Sequence, residues 1–547
     1  MSERPLVLPF DPAGIVLDRR RGLSQQLYQA LRARVLDGRL SSGTRLPASR
    51  DLANILALSR NSVVRAYDQL YAEGYIESRV GDGTYVSRQA KLSTQLSTGL
   101  SRGLSTGLST FPPENTEDLS SNTLSSEPLE RLKSNHLPLP RSGAPRAFRV
   151  GIPAFDLFPF DVWAKLQAGF WRNPEPAQLG YGDPAGEWTL RELIAAYLRR
   201  SRGLSCTAEQ IVITSGAQQA ISLCAQLLLQ PGDTVAVENP GYRAAGHTFA
   251  VAGGKVTGIA VDEEGMDCRR LEQLQDCRLA YVTPAHQYPT GVTMSLARRL
   301  ALLAWAERGD GWIIEDDYDG EYRYSGAPLA PLAALDRQGR VLYVGTFGKI
   351  AFPALRLGYL VLPARLVQAF SQGRALAMRH SEVGTQCVMA EFMAQGHFQR
   401  HIRRMRRAAL SRRNVLKAGW PVDVPGLAAM PEVAAGLHVK VDVDNFAREQ
   451  ELVARAEAVG VEVNPLSGYW LEDSEVPVDK RAGLVLGFAA VPEGEIAEAL
   501  MRLRKAARTG FAGLGNGAAF SRYQVPDLIL VQARVRARSA SRDKGLS

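Results

Sequence analysis

Lys349 ends the segment Gly345-Thr346-Phe347-Gly348-Lys349, and Arg356 follows seven residues later. An amine placed just after a strand can attack an aldehyde, and a guanidinium close by can hold the phosphate of the same molecule. Three other segments complete the requirements of such a ligand. Ser215-Gly216-Ala217-Gln218 follows an apolar run and opens a helical pattern, where free backbone N–H groups can cup a phosphate. Asn239-Pro240-Gly241-Tyr242 offers an aromatic ring for stacking. In Ile313-Ile314-Glu315-Asp316-Asp317-Tyr318-Asp319, Asp316 suits a ring nitrogen and Tyr318 a phenolic oxygen. A carboxylate at that nitrogen keeps a pyridine ring protonated and electron-withdrawing. Each element alone is commonplace, since a lysine after a strand usually sits on the surface and a loop aspartate is usually solvated. Five elements in the right order describe a site for pyridoxal 5'-phosphate. Lys349 is its amine, with Ser215, Gly216, Ala217, Tyr242, Asp316, Tyr318, Thr346 and Arg356 around it.

These motifs follow apolar runs that have strand character. Ile211–Thr214, Thr234–Val237, Leu279–Val282, Trp312–Ile314 and Val341–Val344 are separated by helix-length sequence. That alternation predicts buried parallel strands in an α/β sheet covered on both faces. Ligands of such sheets lie beyond the strand C-termini, which is where the polar motifs fall.

The N-terminal stretch has a different pattern. Residues 23–37 predict a helix with Leu27, Ala30, Leu31 and Val35 on one face and Gly38 past its end. Leu46-Pro47 leads into a short helix bearing Leu52, Ile55 and Leu56. Ser59 can then N-cap a third helix with Val63, Tyr67, Leu70 and Tyr71 inward. Runs at Tyr75–Val80 and Thr84–Val86, joined by Gly81-Asp82-Gly83, predict a tight hairpin. This is a winged helix-turn-helix pattern. Its second helix enters the major groove of double-stranded DNA, so Ser59, Arg60, Asn61, Ser62 and Arg65 are the candidate readers of an operator. Arg can bridge guanine and Asn adenine at base edges. Arg45, Ser49 and Arg50 lie about the preceding helix and suit phosphates, while Arg79 and Gly83 belong to the wing. The bland alternative is that these arginines only solubilise a small helical domain.

Composition sets the limits. The chain has 547 residues, 45% of them hydrophobic, and a formal net charge of +9. Residues 1–88 hold 13 Arg and no Lys against 9 Asp plus Glu, a local excess of +4 that favours phosphates. No apolar run of about 20 residues predicts a membrane span, and the first residues lack a signal-peptide pattern. Five cysteines without CxxC spacing predict reduced thiols in the cytoplasm and no metal site. Residues 89–148 carry an imperfect short repeat rich in Leu, Ser, Thr and Gly, which predicts a flexible linker with ends on the order of 40–45 Å apart. The chain therefore divides into 1–88, a DNA-binding domain; 89–148, a linker; 149–508, an α/β domain; and 509–547, a basic tail. The tail's Arg534, Arg536, Arg538, Arg542 and Lys544 are expected to be solvated.

Residues 23–87, through Gly43-Thr44-Arg45-Leu46-Pro47-Ala48-Ser49-Arg50-Asp51-Leu52-Ala53, Gly74-Tyr75-Ile76 and Gly83-Thr84-Tyr85-Val86, resemble the GntR family of bacterial regulators. Residues 149–508 resemble fold-type I aminotransferases of the aspartate aminotransferase class. The two together resemble the MocR subfamily of GntR regulators. The resemblance implies a regulator rather than an enzyme, with at most a partial transamination half-reaction. It also implies a head-to-tail homodimer in which Tyr181, in Gly180-Tyr181-Gly182-Asp183, reaches the partner's phosphate site. A small-molecule effector is expected, either pyridoxal phosphate itself or an amine or amino acid joined through an aldimine at Lys349. Two departures from the enzyme pattern stand out. Tyr288 of Tyr288-Pro289-Thr290-Gly291 replaces the ring-contacting Asn, with His286-Gln287 expected to compensate. Val485 stands where the enzymes carry the Arg for a substrate carboxylate, leaving Arg481 or Arg243 as substitutes. A working aminotransferase with an accessory DNA-binding domain is the second reading, and a degenerate scaffold that binds only DNA is the third.

Overall fold

A computed structural model describes residues 14–15, 17–19, 22–79, 82–87, 127–135, 137, 141, 143–325 and 330–508. The chain falls into two compact units, one within residues 1–123 and one within 124–547.

In the first unit, α1 (Leu23–Leu36), α2 (Ser49–Ile55) and α3 (Arg60–Ala72) pack beside a small sheet. Its strands β1 (Arg45–Leu46), β2 (Ile76–Arg79) and β3 (Gly83–Val86) run antiparallel in the order β1-β3-β2. Leu27, Leu31, Leu52, Val63 and Leu70 are wholly buried, and each contributes roughly 1.5–3 kcal/mol of transfer free energy. The i, i+4 and i, i+7 spacing of the first four-residue and seven-residue pairs is what puts them on one stripe. Tyr71, expected inward, is 58% exposed because the inward stripe of α3 is already complete with Val63, Ala66, Tyr67 and Leu70. The Tyr67 hydroxyl donates to the Pro47 carbonyl and ties α3 to the turn before α2. Strand β1 was not expected from the sequence, since two residues carry no alternation to detect.

In the second unit an eight-stranded mixed sheet forms the centre. It contains β4 (Ile211–Thr214), β5 (Thr234–Asn239), β6 (Lys255–Asp262), β7 (Gly265–Met266), β8 (Cys277–Val282), β9 (Trp312–Asp317), β10 (Val341–Thr346) and β11 (Gly358–Val361). Their order is β4-β11-β10-β9-β8-β5-β6-β7. All five expected strands are present. Parallel pairing holds from β10 through β6, whereas β11 runs antiparallel to both β10 and β4. Helices α5 (Phe160–Arg172), α6 (Trp188–Arg202), α7 (Ala217–Leu228), α8 (Arg243–Val251), α9 (Leu296–Arg308), α10 (Val367–Met378) and α11 (Val383–Ala394) follow the strands or flank the sheet. Separate apolar clusters cover it, one around Phe249, Tyr281 and Phe370 and another around Leu302, Trp305 and Ile313. A smaller subdomain uses α12 (His397–Ala418), α13 (Phe446–Ala458), α14 (Glu493–Arg508) and a sheet of β12 (His438–Asp442), β13 (Asn464–Pro465) and β14 (Gly483–Gly487) in the order β12-β14-β13.

The linker expected over 89–148 needs correction at its C-terminal end. Residues Glu127–Ser134 form a helix, α4, that packs on α8. Arg131 Nε donates to the Val251 carbonyl at 3.0 Å and Asn135 meets His247 at 3.1 Å. A guanidinium at the final carbonyl of α8 complements that helix's negative end. The first part of the linker and the tail at 509–547 lie outside the described residues. Among the described residues, no helix is long and apolar enough to cross a membrane.

Candidate cofactor cavity and nucleic-acid interface

A cavity of about 250 Å³ opens beyond the C-terminal ends of the parallel strands. Gly216, Ala217, Tyr242, Tyr288, Asp316, Tyr318, Thr346, Lys349 and Arg356 all line it. Segments separated by up to 140 residues converge there because each lies at the end of a strand of one sheet or in the connection beside it.

The local chemistry of each group has an identifiable origin. Gly216 caps α7 with φ of 88°, a left-handed value that suits glycine, and the Arg356 guanidinium sits beside it. A Cβ at Gly216 would lie 3.5 Å from Arg356 Nη1. The start of α7 and one guanidinium thus form a cationic corner. Arg356 itself is held at φ of 50°, an uncommon conformation for a residue with a side chain.

Lys349 reaches back from the end of β10, and its Nζ donates to the Gly151 carbonyl at 2.8 Å. Burial pulls its pKa below the ordinary lysine value, against Asp319 and Asp316, which push it up. Asp316 is buried, and one oxygen accepts from the Tyr281 hydroxyl at 2.7 Å while the other has no partner. Desolvation raises its carboxyl to about 6. A buried carboxylate oxygen without a donor is costly, and a protonated ring nitrogen in the cavity would satisfy it. The residues present therefore fit pyridoxal 5'-phosphate: an amine, an unpaired carboxylate, aromatic walls and a phosphate corner.

Several expectations are revised. Ser215 does not line the cavity, and its N–H is committed to Gln219 Oε1 at 2.7 Å. The expectation for Tyr181 concerns a partner's cavity and stands apart from these: Tyr181 lies outside the lining of its own chain's cavity and is 89% exposed, with the Arg379 guanidinium 5.9 Å from its ring. His286 and Gln287 do not face the cavity. Gln287 Nε2 donates to the Pro240 carbonyl, and His286 Nδ1 lies 3.0 Å from the Tyr318 hydroxyl and 3.1 Å from Asp319 Oδ2. They brace Tyr318 and the loops around it. Tyr288 packs edge-on against Tyr242, Tyr318 and Tyr469. Arg481 is committed to the carbonyls of Val476 and Ser474, and Arg243 lies 3.9 Å from Glu472; neither lines the cavity.

The sequence reading missed Tyr281, Gly151, Leu437 and His438, all of which line the cavity. A tyrosine inside the apolar run of β8 was a signal for the first. The other three come from chain that precedes or follows the sheet by many residues, and no local pattern marks them.

The first unit presents its polar groups outward. Ser59 caps α3, its hydroxyl accepting from Ser62 N at 3.1 Å and lying 2.9 Å from the Ser62 hydroxyl. That fixes the first turn of α3 and leaves Arg60, Asn61 and Arg65 exposed along it. Arg45 and Arg50 are exposed, and Ser49 is half-buried at the start of α2. The Arg45 guanidinium lies over Gly83, where a Cβ would come within 3.0 Å of it. Arg79 ends β2, and its side chain lies outside the described residues.

Comparison with known proteins agrees with this division. Residues 23–86 match the bacterial regulatory proteins of the gntR family, and residues 148–449 match aminotransferase class I and II. The chain is 34% identical to the probable rhizopine catabolism regulatory protein MocR of Rhizobium meliloti, over 90% of this chain and 95% of that protein. It is 30% identical to the HTH-type pyridoxine biosynthesis transcriptional regulator PdxR of Corynebacterium glutamicum, over 92% of this chain and all of that one. Among solved structures, a kynurenine aminotransferase of Pyrococcus horikoshii is similar with a TM-score of 0.61 and 28% identity, covering 72% of this chain and 98% of its own. A winged helix and an aminotransferase-like unit, matched along nearly their whole length by regulators of the same composition, place this chain in the MocR subfamily of the GntR family.

Proposed function

We propose that this DNA-binding regulator senses a small molecule in the cavity of its aminotransferase-like unit, with pyridoxal 5'-phosphate held covalently at Lys349. The observation that carries the proposal is the unpaired, buried oxygen of Asp316 beside the Lys349 amine and the cationic corner of Arg356 and α7. Bound there, the cofactor supplies an electron sink to any amine joined to it. The chain's residues hold and aim it. Asp316 would keep a proton on the ring nitrogen, Tyr281 orients Asp316, and Tyr242 and Tyr288 wall the ring. Ser59, Arg60, Asn61, Ser62 and Arg65 would read the operator, with Arg45, Ser49, Arg50, Arg79 and Gly83 toward the backbone.

Among the described cavity-lining residues Arg356 is the single guanidinium, and the phosphate claims it. An amino-acid carboxylate would then lack a cation, which favours regulation over efficient transamination and favours the cofactor itself, or an amine without a carboxylate, as effector. A ligand alters DNA binding only through unequal affinity for two arrangements of the protein. Dimerisation through the face bearing Tyr181 is part of this proposal. Tyr181 adjoins His380, a Cβ on Gly182 would touch Val383, and one on Gly384 would touch Trp171, so a partly apolar exposed face runs through them. Such faces mark association.

The test is fluorescence anisotropy with DNA upstream of the protein's own gene, with and without pyridoxal phosphate, alongside absorbance of the protein and its mass in solution. A shift in affinity or complex size with the cofactor supports it as effector. Tight binding indifferent to the cofactor makes it a fixed prosthetic group and moves the search to amines. No cofactor absorbance at any concentration refutes the reading of the cavity.

A further inference from the structure

Helix α12 breaks the rules by which surface helices are usually charged. Its 22 residues, His397–Ala418, contain Arg400, Arg403, Arg404, Arg406, Arg407, Arg412, Arg413 and Lys417 and no Asp or Glu. Mixed signs at i, i+4 stabilise a helix and like signs destabilise it. Here Arg400 faces Arg404 and Arg403 faces Arg407 at that spacing. Arg400 also stands in the first turn, where positive charge opposes the helix dipole.

Neighbouring elements do not neutralise this charge. Buried Arg412 pairs with Asp156 and Glu493, and Lys417 pairs with Glu432. Among the described residues, the others have no carboxylate partner. Arg404 and Arg406 donate instead to the carbonyls of Leu157 and Glu321, which fixes their stems and leaves the charge uncompensated. Arg400, Arg403, Arg404, Arg406 and Arg407 are all exposed. The inward face of the helix is an ordinary apolar stripe, Phe398, Ile402, Met405, Ala409 and Leu416. Folding therefore accounts for one face, and the other carries a cost that folding alone does not explain. Such local conflicts concentrate at functional surfaces.

We infer that the arginine face of α12 is a second DNA-contacting surface, on the aminotransferase-like unit, that grips the phosphate backbone without reading sequence. Arg400 to Arg407 covers roughly 10 Å along the helix axis. Duplex DNA carries about one charge per 1.7 Å of its own axis, so a matching stretch presents several phosphates. Guanidinium groups suit phosphate oxygens through paired N–H donors. Duplex DNA is favoured over an acidic protein or a membrane because the same chain already carries a DNA-reading unit, which brings the polyanion close. The inference rests on the DNA-binding reading and extends it to duplex beyond the sequence that the first unit reads.

The experiment uses the full chain, loaded with cofactor, as wild type and as Arg403→Ala/Arg407→Ala. Affinity is measured across a salt series for a duplex confined to the operator and for one extended on both sides. Wild type should bind the longer duplex more tightly and with a steeper dependence on salt. Loss of two phosphate contacts should reduce the slope of log affinity against log salt by about 2 on the longer duplex, with binding to the short one unchanged. Arg403→Lys/Arg407→Lys should restore most of the slope. The alanine variant should unfold at a temperature no lower than wild type, because it relieves repulsion. Equal slopes for wild type and variant on the longer duplex overturn the inference. In that case retained binding to the short duplex still supports the DNA-binding reading, and loss of both refutes that as well.

Discussion

The cavity and the reading face of α3 solve recognition in opposite ways. At the floor of the cavity Asp316 is buried, with one oxygen held by the Tyr281 hydroxyl and the other unpaired, while Arg356 and Tyr242 stand at its exposed rim. On α3, Arg60 and Asn61 stand exposed on a first turn fixed by Ser59, and Arg65 stands exposed on the turn after it. A buried site is prepared before its ligand arrives and has little tolerance for change. An exposed one leaves its energetics to the partner, and single losses there are graded. The contrast teaches that variants of the two regions should differ in kind as well as in size.

The largest effect is expected from Lys349→Ala. It should abolish the absorbance band of covalently held cofactor while operator affinity without effector stays within a few-fold of wild type. A collapse of DNA binding in a folded variant would break the separation. Next is Asp316→Asn, which should weaken cofactor binding by about 1.5–3 kcal/mol, the range for a hydrogen bond to a charged group, measured by titration.

The same residue gives a pH signature. Its carboxyl is raised to about 6 by burial, so between roughly pH 4 and 6 the cofactor-free folded state binds more protons than the unfolded chain. Stability from this group therefore falls as pH rises through that window. Asp316→Asn should flatten that part of a melting-temperature profile, and cofactor should flatten it in wild type. An unchanged profile would remove the electrostatic role.

Arg60→Ala comes third, costing about 1–3 kcal/mol on the operator and less on scrambled DNA. Equal losses on both would reduce Arg60 to a phosphate contact. The smallest effect is Ser59→Ala, which should cost about 1 kcal/mol of stability in the first unit through loss of the N-cap, seen in its melting and not in cofactor affinity.

The sequence exposed the two regions unequally. Apolar runs such as Ile211–Thr214 and Val341–Val344 announced strands because a buried parallel strand needs both faces hydrophobic. β6 escaped notice because its residues are mostly half-exposed, and β11 because it is a four-residue run beginning at Gly358. Lys349, Asp316 and Arg356 were legible since Asp316 lies at the end of one strand, Lys349 follows the next, and Arg356 lies at a fixed short spacing from Lys349. Leu437 and His438 were not, because they reach the cavity from the smaller subdomain through packing. Tyr71 and Ser215 show the converse error, where a residue fits a local pattern but neighbours have filled its place.

The docking of α4 has a mechanical consequence. Arg131 fastens the beginning of the second unit to the far end of α8 at Val251, and Asn135 to its middle at His247. That helix begins at Arg243, directly after Tyr242 in the cavity wall. Nine residues of α-helix make a stiff rod of roughly 13 Å. The chain leading from the DNA-reading unit is thus attached to one end of a lever whose other end is the wall against which a ligand would press.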